Sequence, residues 1–389
     1  MRILMLYEYP PPPAGLATQG DLLYRGLTEL GVDCMPAPQT GNLQKEWIYR
    51  HYKPHLAIGV GYWGQLPELV IHPREHGVYP VPWLVADGWV ANYHKELNAL
   101  PLILATSQWV KETYIRDGVS GDRIVVQPIG CDVQSFRPIP MEDPKVRAVR
   151  EVLGVADDDK LILTIGGDGA SKGSREMMAA LAKIDHEFPN WRYVVKVWNS
   201  ERTAKQNALD LELAEELGIS HKVHYVIDGP ASREFMPYVY NACDIYAAPS
   251  RLEGFGMPHV EAQACGKPVL SIDAMGIKET VIHGETGFLA RPAKWISITE
   301  GEVGPASGYP ETKVIKFDEP KVVGVRADVD DLAEYLMRFL TDEKLDARMG
   351  AAGRAHVEST FNYRDVARHV MNVLEDRMPQ AVGGLGAFV

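Results

Sequence analysis

The sequence predicts an α/β protein built of two doubly wound domains, each a parallel sheet flanked by helices. Three observations carry this. Short apolar runs alternate with longer helical patterns over most of the chain, which is the signature of β-α-β units. At 389 residues, 46% of them apolar, the chain outgrows one ordinary core and can bury two. A proline-punctuated linker, Phe136-Arg137-Pro138-Ile139-Pro140, then interrupts the alternation and sets the expected boundary, giving residues 1–140 and 141–365 as the two domains.

In the first domain the strands are expected at Ile3 to Tyr7, Leu56 to Val60, Val81 to Val85, Leu102 to Ala105 and Ile124 to Pro128, with helices at Asp21 to Leu30 and Gln108 to Asp117. The second repeats the rhythm, with strands at Leu161 to Ile165, Tyr193 to Trp198, Val223 to Ile227, Ile245 to Ala248 and Pro268 to Ile272. A ligand is expected in the cleft at the carboxyl ends of both sets of strands, where open α/β sheets bind. The stretch Arg291 to Val325, rich in Gly, Pro and Thr, reads as an insertion or irregular excursion, and the tail after Met378 as loose.

Composition excludes several classes. A formal charge of −12 argues against nucleic acid as a partner. The four cysteines, Cys34, Cys131, Cys243 and Cys265, lack C-x-x-C spacing and read as reduced structural thiols. The N-terminal apolar run stops at a proline stretch, too short for a signal peptide or a membrane span, so a cytoplasmic protein is expected. LQKEWIYRHYKP, from Leu43 to Pro54, reads either as a helix packed on its own sheet or as a peripheral membrane contact.

The stretch RLEGFGMPHVEAQACG, Arg251 to Gly266, carries the most chemistry. A Gly-Phe-Gly turn leads into a helix with Pro258 in its first turn and Gly266 just past its end. Such a turn offers backbone N–H groups and a positive dipole end to an anion, yet Glu253 sits on the turn and Glu261 on the helix. Carboxylates accept from hydroxyl donors, so the pair fits sugar hydroxyls on one side of a bound phosphate and ribose hydroxyls on the other.

PSRLEGFGMPHVEAQACGKPVL resembles the E-x7-E signature of retaining glycosyltransferase family 4, enzymes of GT-B architecture with two Rossmann-like domains facing a central cleft. VQPIGCDVQSFRP, SQWVKETYIRDGV, HGETGFLA and the region from Met349 to Phe361 are similar to further stretches of the same family. The resemblance implies that Glu253 contacts the donor sugar, with backbone N–H groups around Gly254, Phe255, Gly256 and Met257 on sugar and phosphate, while Glu261 holds the ribose. It further implies that Lys172, in ASKGS, pairs with the donor diphosphate, that Gly15 lies on a loop approaching the same phosphates, and that Gly229 lines the base pocket. The C-terminal helix, about 366–380, would pack back on the N-terminal domain. No cofactor or metal is implied; the nucleotide diphosphate sugar is a substrate.

Two family positions differ. Gly167 stands where the family has an arginine, leaving Lys196, Arg202 and Lys205 as candidate second cations. Ala86 or Asp87 replaces the family histidine, so Asp87 joins Glu253 and Lys172 as a catalytic candidate, with His94 a weaker one. Asp157-Asp158-Asp159 and Asp328-Val329-Asp330 satisfy a D-x-D metal pattern but sit where Asp caps turns and helices. His259 reads as structural. The function expected is metal-independent, retaining transfer of a sugar from a nucleotide diphosphate donor to a hydroxyl acceptor: a saccharide, a lipid-linked sugar or a small molecule. The alternatives are another GT-B enzyme, a phosphorylase or nucleotide-sugar epimerase, and a non-catalytic nucleotide-sugar-binding subunit.

Overall fold

The computed structural model describes residues 1–86, 88–228 and 231–382. They form two compact units: Met1–Gly130, Ser297–Val323 and the chain from Phe361 onward in the first, Cys131–Ile296 and Gly324–Thr360 in the second.

The first unit is built on β1 (Arg2–Tyr7), β2 (Asp33–Pro38), β3 (Leu56–Tyr62), β4 (Tyr79–Val85), β5 (Ile103–Ala105) and β6 (Ile124–Val126). They pair in parallel in the order β2-β1-β3-β4-β5-β6. Ile3 to Tyr7 and Leu56 to Val60 are buried without alternation, as a sheet covered on both faces requires. The strand β2 went unread in the sequence because Pro36 and Pro38 interrupt its apolar run. It lies at the sheet edge, where a missing N–H costs no ladder bond. The helix Tyr363–Arg377 packs on Gly15–Glu29, with Tyr363 and Arg364 both donating to the Glu29 carboxylate at 2.6 Å.

The second unit repeats the plan with β7 (Lys160–Ile165), β8 (Trp191–Trp198), β9 (Val223–Asp228), β10 (Ile245–Ala247), β11 (Val269–Ile272) and β12 (Gly287–Ala290), ordered β12-β11-β10-β7-β8-β9. Both sheets are six-stranded, so the expected doubly wound α/β class holds.

The stretch read as an insertion or irregular excursion is a β-hairpin, β13 (Pro292–Val303) and β14 (Lys313–Ala327), turned through Pro305–Ser307. Its part in the first unit is held by aromatic and polar contacts. Phe317 meets the Trp89 ring edge to face at 5.1 Å, Tyr309 donates to the Ala91 carbonyl, and Lys321 pairs with the buried Asp117 at 2.8 Å. Trp63, itself buried, continues the aromatic stack from Trp89 into the sheet's core.

Candidate active site

In the second unit β10 lies directly beside β7, with Ile245 opposite Ile162 and Tyr246 opposite Leu163. The loops that follow these two strands therefore leave the same carboxyl edge side by side. The β7 loop ends in the short turn Ala170–Lys172 and enters the helix Ser174–Ile184. The β10 loop carries Arg251 to Gly256 into the helix Met257–Ala264. Backbone bonds stitch the second loop in place: Arg251 N donates to the Ser171 carbonyl at 2.8 Å, and the Arg251 carbonyl accepts from Val325 N at 2.8 Å.

This juxtaposition brings Lys172 and Glu253 together from 81 residues apart, with Nζ 2.6 Å from Oε2. Both side chains are mostly buried, 18% and 17% exposed. The lysine stem passes so close over Gly166 that a Cβ there would lie 2.4 Å from Lys172 Cγ, so no larger residue fits at 166 without moving the lysine. The other Glu253 oxygen accepts from Gly256 N at 3.1 Å. Gly256 has φ of 94°, a left-handed conformation that glycine takes at no steric cost, and this turns its N–H back onto the carboxylate.

The electrostatics follow from that enclosure. Burial by itself pushes the Glu253 carboxyl up, but the Lys172 ammonium with its hydrogen bond, His259 and the Phe255 N–H outweigh it and hold the group below the usual carboxylate range. It is thus anionic at neutral pH. His259 is buried against the Ala248 carbonyl and Ser271 Oγ, both 2.9 Å from Nε2, and burial pushes it down to about 4. It is a neutral structural group that backs the Glu253 loop.

Glu261 sits in the Met257–Ala264 helix that the loop opens, with both oxygens engaged. Arg233 Nη1 donates to Oε1 at 2.8 Å and the Tyr240 hydroxyl to Oε2 at 2.8 Å. A carboxylate keeps lone pairs beyond two donors, so it can still accept from a ligand hydroxyl, on terms set by the arginine and the tyrosine. Gly167 is bordered by Trp198, whose ring atoms would lie 3.4 Å from a Cβ at that position, and the indole is about half exposed. Lys196 lies on β8 beside β7, with its backbone carbonyl accepting from Gly166 N.

Sequence reasoning missed an arginine pair beneath this edge. Glu176, in the helix after Lys172, accepts from Arg251 at 3.0 and 3.1 Å and from Arg326 at 2.9 Å. The only sequence signal was the position of Arg251 beside the Glu253 turn; Arg233 and Tyr240 carried none. In the first unit Gly15 opens the Gly15–Glu29 helix and a Cβ there would meet open space. Asp87, Gly229 and the end of the tail lie outside the described residues. Asp328 caps the helix Val329–Thr341 by accepting from Asp330 N and Asp331 N, each at 3.0 Å.

The chain is similar to known proteins in sequence and in fold. Residues 145–301, nearly all of them in the second unit, match the family described as glycosyl transferases group 1. D-inositol 3-phosphate glycosyltransferase of Corynebacterium jeikeium is 34% identical over 203 residues, 51% of this chain and 48% of that protein. The GDP-mannose-dependent monoacylated alpha-(1-6)-phosphatidylinositol monomannoside mannosyltransferase of Corynebacterium glutamicum is 28% identical over 328 residues, covering 82% of this chain and 74% of that one. The chain thus spans about half the length of the first relatives and more of others. Among solved structures, a glycosyltransferase from Rickettsia africae superposes with a TM-score of 0.75 at 18% identity, covering 97% of this chain and 98% of that one. The Anabaena protein HepE, solved with UDP and glucose, gives 0.72 at 18% identity over 97% of this chain and 100% of its own. These likenesses are of fold: two parallel α/β sheets in the GT-B manner.

Proposed function

We propose that this chain, which belongs to the glycosyl transferases group 1 family, moves a hexose from a nucleotide diphosphate sugar to an acceptor hydroxyl with retention at the anomeric carbon and without a metal. The observation that carries the reading is the Lys172–Glu253 pair, 2.6 Å apart beside the glycine turn that opens the Met257–Ala264 helix.

The chemistry suits such a pair. As the anomeric C–O bond breaks, its electrons pass to the departing diphosphate while positive charge grows on the sugar. A lysine and fixed N–H dipoles stabilise the first change, and one such donor is typically worth about 2.7–4 kcal/mol. Glu253 is the group to hold sugar hydroxyls and face the cationic ring; Glu261, steadied by Arg233, is the group for the ribose. The acceptor oxygen forms the new bond on the same face, and its proton passes to the leaving phosphate. Glu253 accepts from Lys172 Nζ and from Gly256 N, the same cation and N–H that this reading assigns to the donor diphosphate.

The named relatives direct the first assays to UDP and GDP sugars, and to inositol phosphate or a lipid-linked mannoside as acceptor. A thermal-shift panel with UDP, GDP and ADP sugars reads the donor, since a ligand at a hundred times its Kd stabilises by about 2.7 kcal/mol. Release of nucleotide diphosphate only when acceptor is present, in a chelating buffer and with the product anomer matching the donor by NMR, is the expected result. No shift with any donor sinks the proposal. Release without acceptor moves it to the epimerase or phosphorylase alternatives.

A further inference from the structure

In the first unit, three side chains that the sugar chemistry does not use converge on one spot. Glu46 comes from the helix Asn42–His51; His72 and His76 come from the helical turn His72–Glu75 and its cap. One ligand-type atom from each lies within 4.8 Å of the others. We propose that Glu46, His72 and His76 form a binding site for one divalent transition ion of the Zn²⁺ class, a clip that ties the Asn42–His51 helix to the segment leading into β4.

The donor set and its support argue for the class. Two imidazoles and one carboxylate, with a fourth position left to water, are a common borderline-soft set, whereas Mg²⁺ and Ca²⁺ want oxygen alone. The histidines stand four residues apart, the spacing that puts side chains on one face of a helical turn. Each ring already has a partner on Nδ1: His76 to the His72 carbonyl at 2.9 Å, and His72 facing the Tyr49 hydroxyl at 3.4 Å. Such outer bonds fix tautomer and orientation in metal sites and leave Nε2 for the ion. The Tyr49 ring lies 5.6 Å from the His72 ring and 4.8 Å from the His76 ring, an apolar wall behind both.

The chain approaching the site is itself irregular. Pro67–Ile71 is a π-helical turn, with His72 N reaching back to the Pro67 carbonyl, and such widened turns recur at functional sites. A closed tetrahedral shell needs ligand atoms about 3.3 Å apart at zinc bond lengths. The remaining gap is within reach of a rotation of His76, which is exposed and also gives the ion its way in. Against binding stands Lys45, whose ammonium donates to the Glu68 carbonyl and acts electrostatically on His72. It makes the site one of moderate affinity.

The test uses the full chain, stripped with chelator and titrated with Zn²⁺ against a chromophoric competitor, with Co²⁺ as a spectroscopic probe. One ion per chain is expected, with a tetrahedral Co²⁺ visible spectrum and a rise in Tm on adding Zn²⁺. His76→Ala and Glu46→Gln should each weaken binding by about tenfold or more, and Tyr49→Phe by about tenfold through loss of the outer bond. The exposed His186→Ala, in the second unit, should leave it unchanged. His76→Ala alters an exposed group, and circular dichroism checks that it folds. Zn²⁺ taken up only at millimolar concentration, several ions per chain, or equal affinity in His76→Ala would each overturn the assignment.

Discussion

Replacing Lys172 with alanine separates what the lysine does for folding from what it does for transfer. The side chain loses a 2.6 Å ion pair with Glu253 in a site where both partners are mostly buried. Removing one member of a fully buried pair costs about 3–5 kcal/mol, because the survivor is left charged without compensation. Here Gly256 N still donates to the orphaned carboxylate, and both side chains keep some exposure, so the cost falls at or below the lower end of that range. On the proposed function the catalytic loss is that of a donor to the leaving diphosphate, about 10²–10³ in kcat. Lys172→Ala should therefore fold, melt a few degrees lower, and transfer sugar about 10²–10³ more slowly.

Its pH dependence supplies the check on mechanism. In the wild type the folded Glu253 carboxyl titrates below its ordinary value. A group with a lowered folded pKa contributes stability that is complete above the unfolded pKa and is lost as pH falls through the folded one. The difference in unfolding free energy between wild type and Glu253→Gln should hence shrink on acidification below the ordinary carboxylate range. In the Lys172→Ala background burial is less opposed, so the same difference should shrink at higher pH or change sign. Steady-state kinetics and denaturant melts across pH measure both. A Lys172→Ala enzyme within a factor of a few of wild-type kcat, or a Glu253 contribution indifferent to Lys172, would refute the reasoning.

Glu261→Gln keeps shape but removes the charge facing Arg233, so nucleotide affinity should fall by more than kcat does, read from product inhibition by the nucleotide diphosphate. Asp346 is pushed up to about 7, by burial first and then by Asp244, Asp342 and Glu343 against the relief from Lys160. A raised carboxyl costs stability as pH climbs from the unfolded value to the folded one. Asp346→Asn should thus match wild type near pH 4 and be more stable above pH 7, by at most about 4 kcal/mol, in melts at the two pH values. Asp117 is 2% exposed and accepts from Lys321, Arg116 and Val90 N; Asp117→Ala should cost about 3 kcal/mol or less in a urea melt, since it strands the mostly buried Lys321 while the part-exposed Arg116 stays solvated. Phe317→Ala should cost at least about 0.5–1.5 kcal/mol for its ring contact with Trp89, read in a urea melt.

The strands of both sheets were legible because a parallel sheet covered on both faces leaves unbroken apolar runs, and Leu161 to Ile165 or Leu56 to Val60 can hardly be anything else. What failed were elements lacking that mark. The strand β2 carries two prolines that only an edge position tolerates, and an edge is a property of strand order, which a linear reading does not contain. The hairpin Pro292–Ala327 reads only as an insertion or irregular excursion for its Gly, Pro and Thr, because its arms alternate in burial over short stretches alone, as at Ile296 to Thr299 and Val314 to Asp318.

The site divides in the same way. Local rules were enough for the glycine turn, the proline in the first helical turn and the two carboxylates at their spacing. The meeting of Lys172 with Glu253 needed the adjacency of β7 and β10, and the engagement of Glu261 by Arg233 and Tyr240 needed packing between elements. Strand order thus turns an apparent conflict, a carboxylate on an anion-binding turn, into an arrangement with a purpose. Glu253 accepts from both Lys172 and Gly256 N, so the mostly buried cation is compensated by the neighbouring loop itself. On the proposed function a diphosphate would compete with the Glu253 carboxylate for that cation and N–H, and the Lys172→Ala and Glu253→Gln kinetics test that competition.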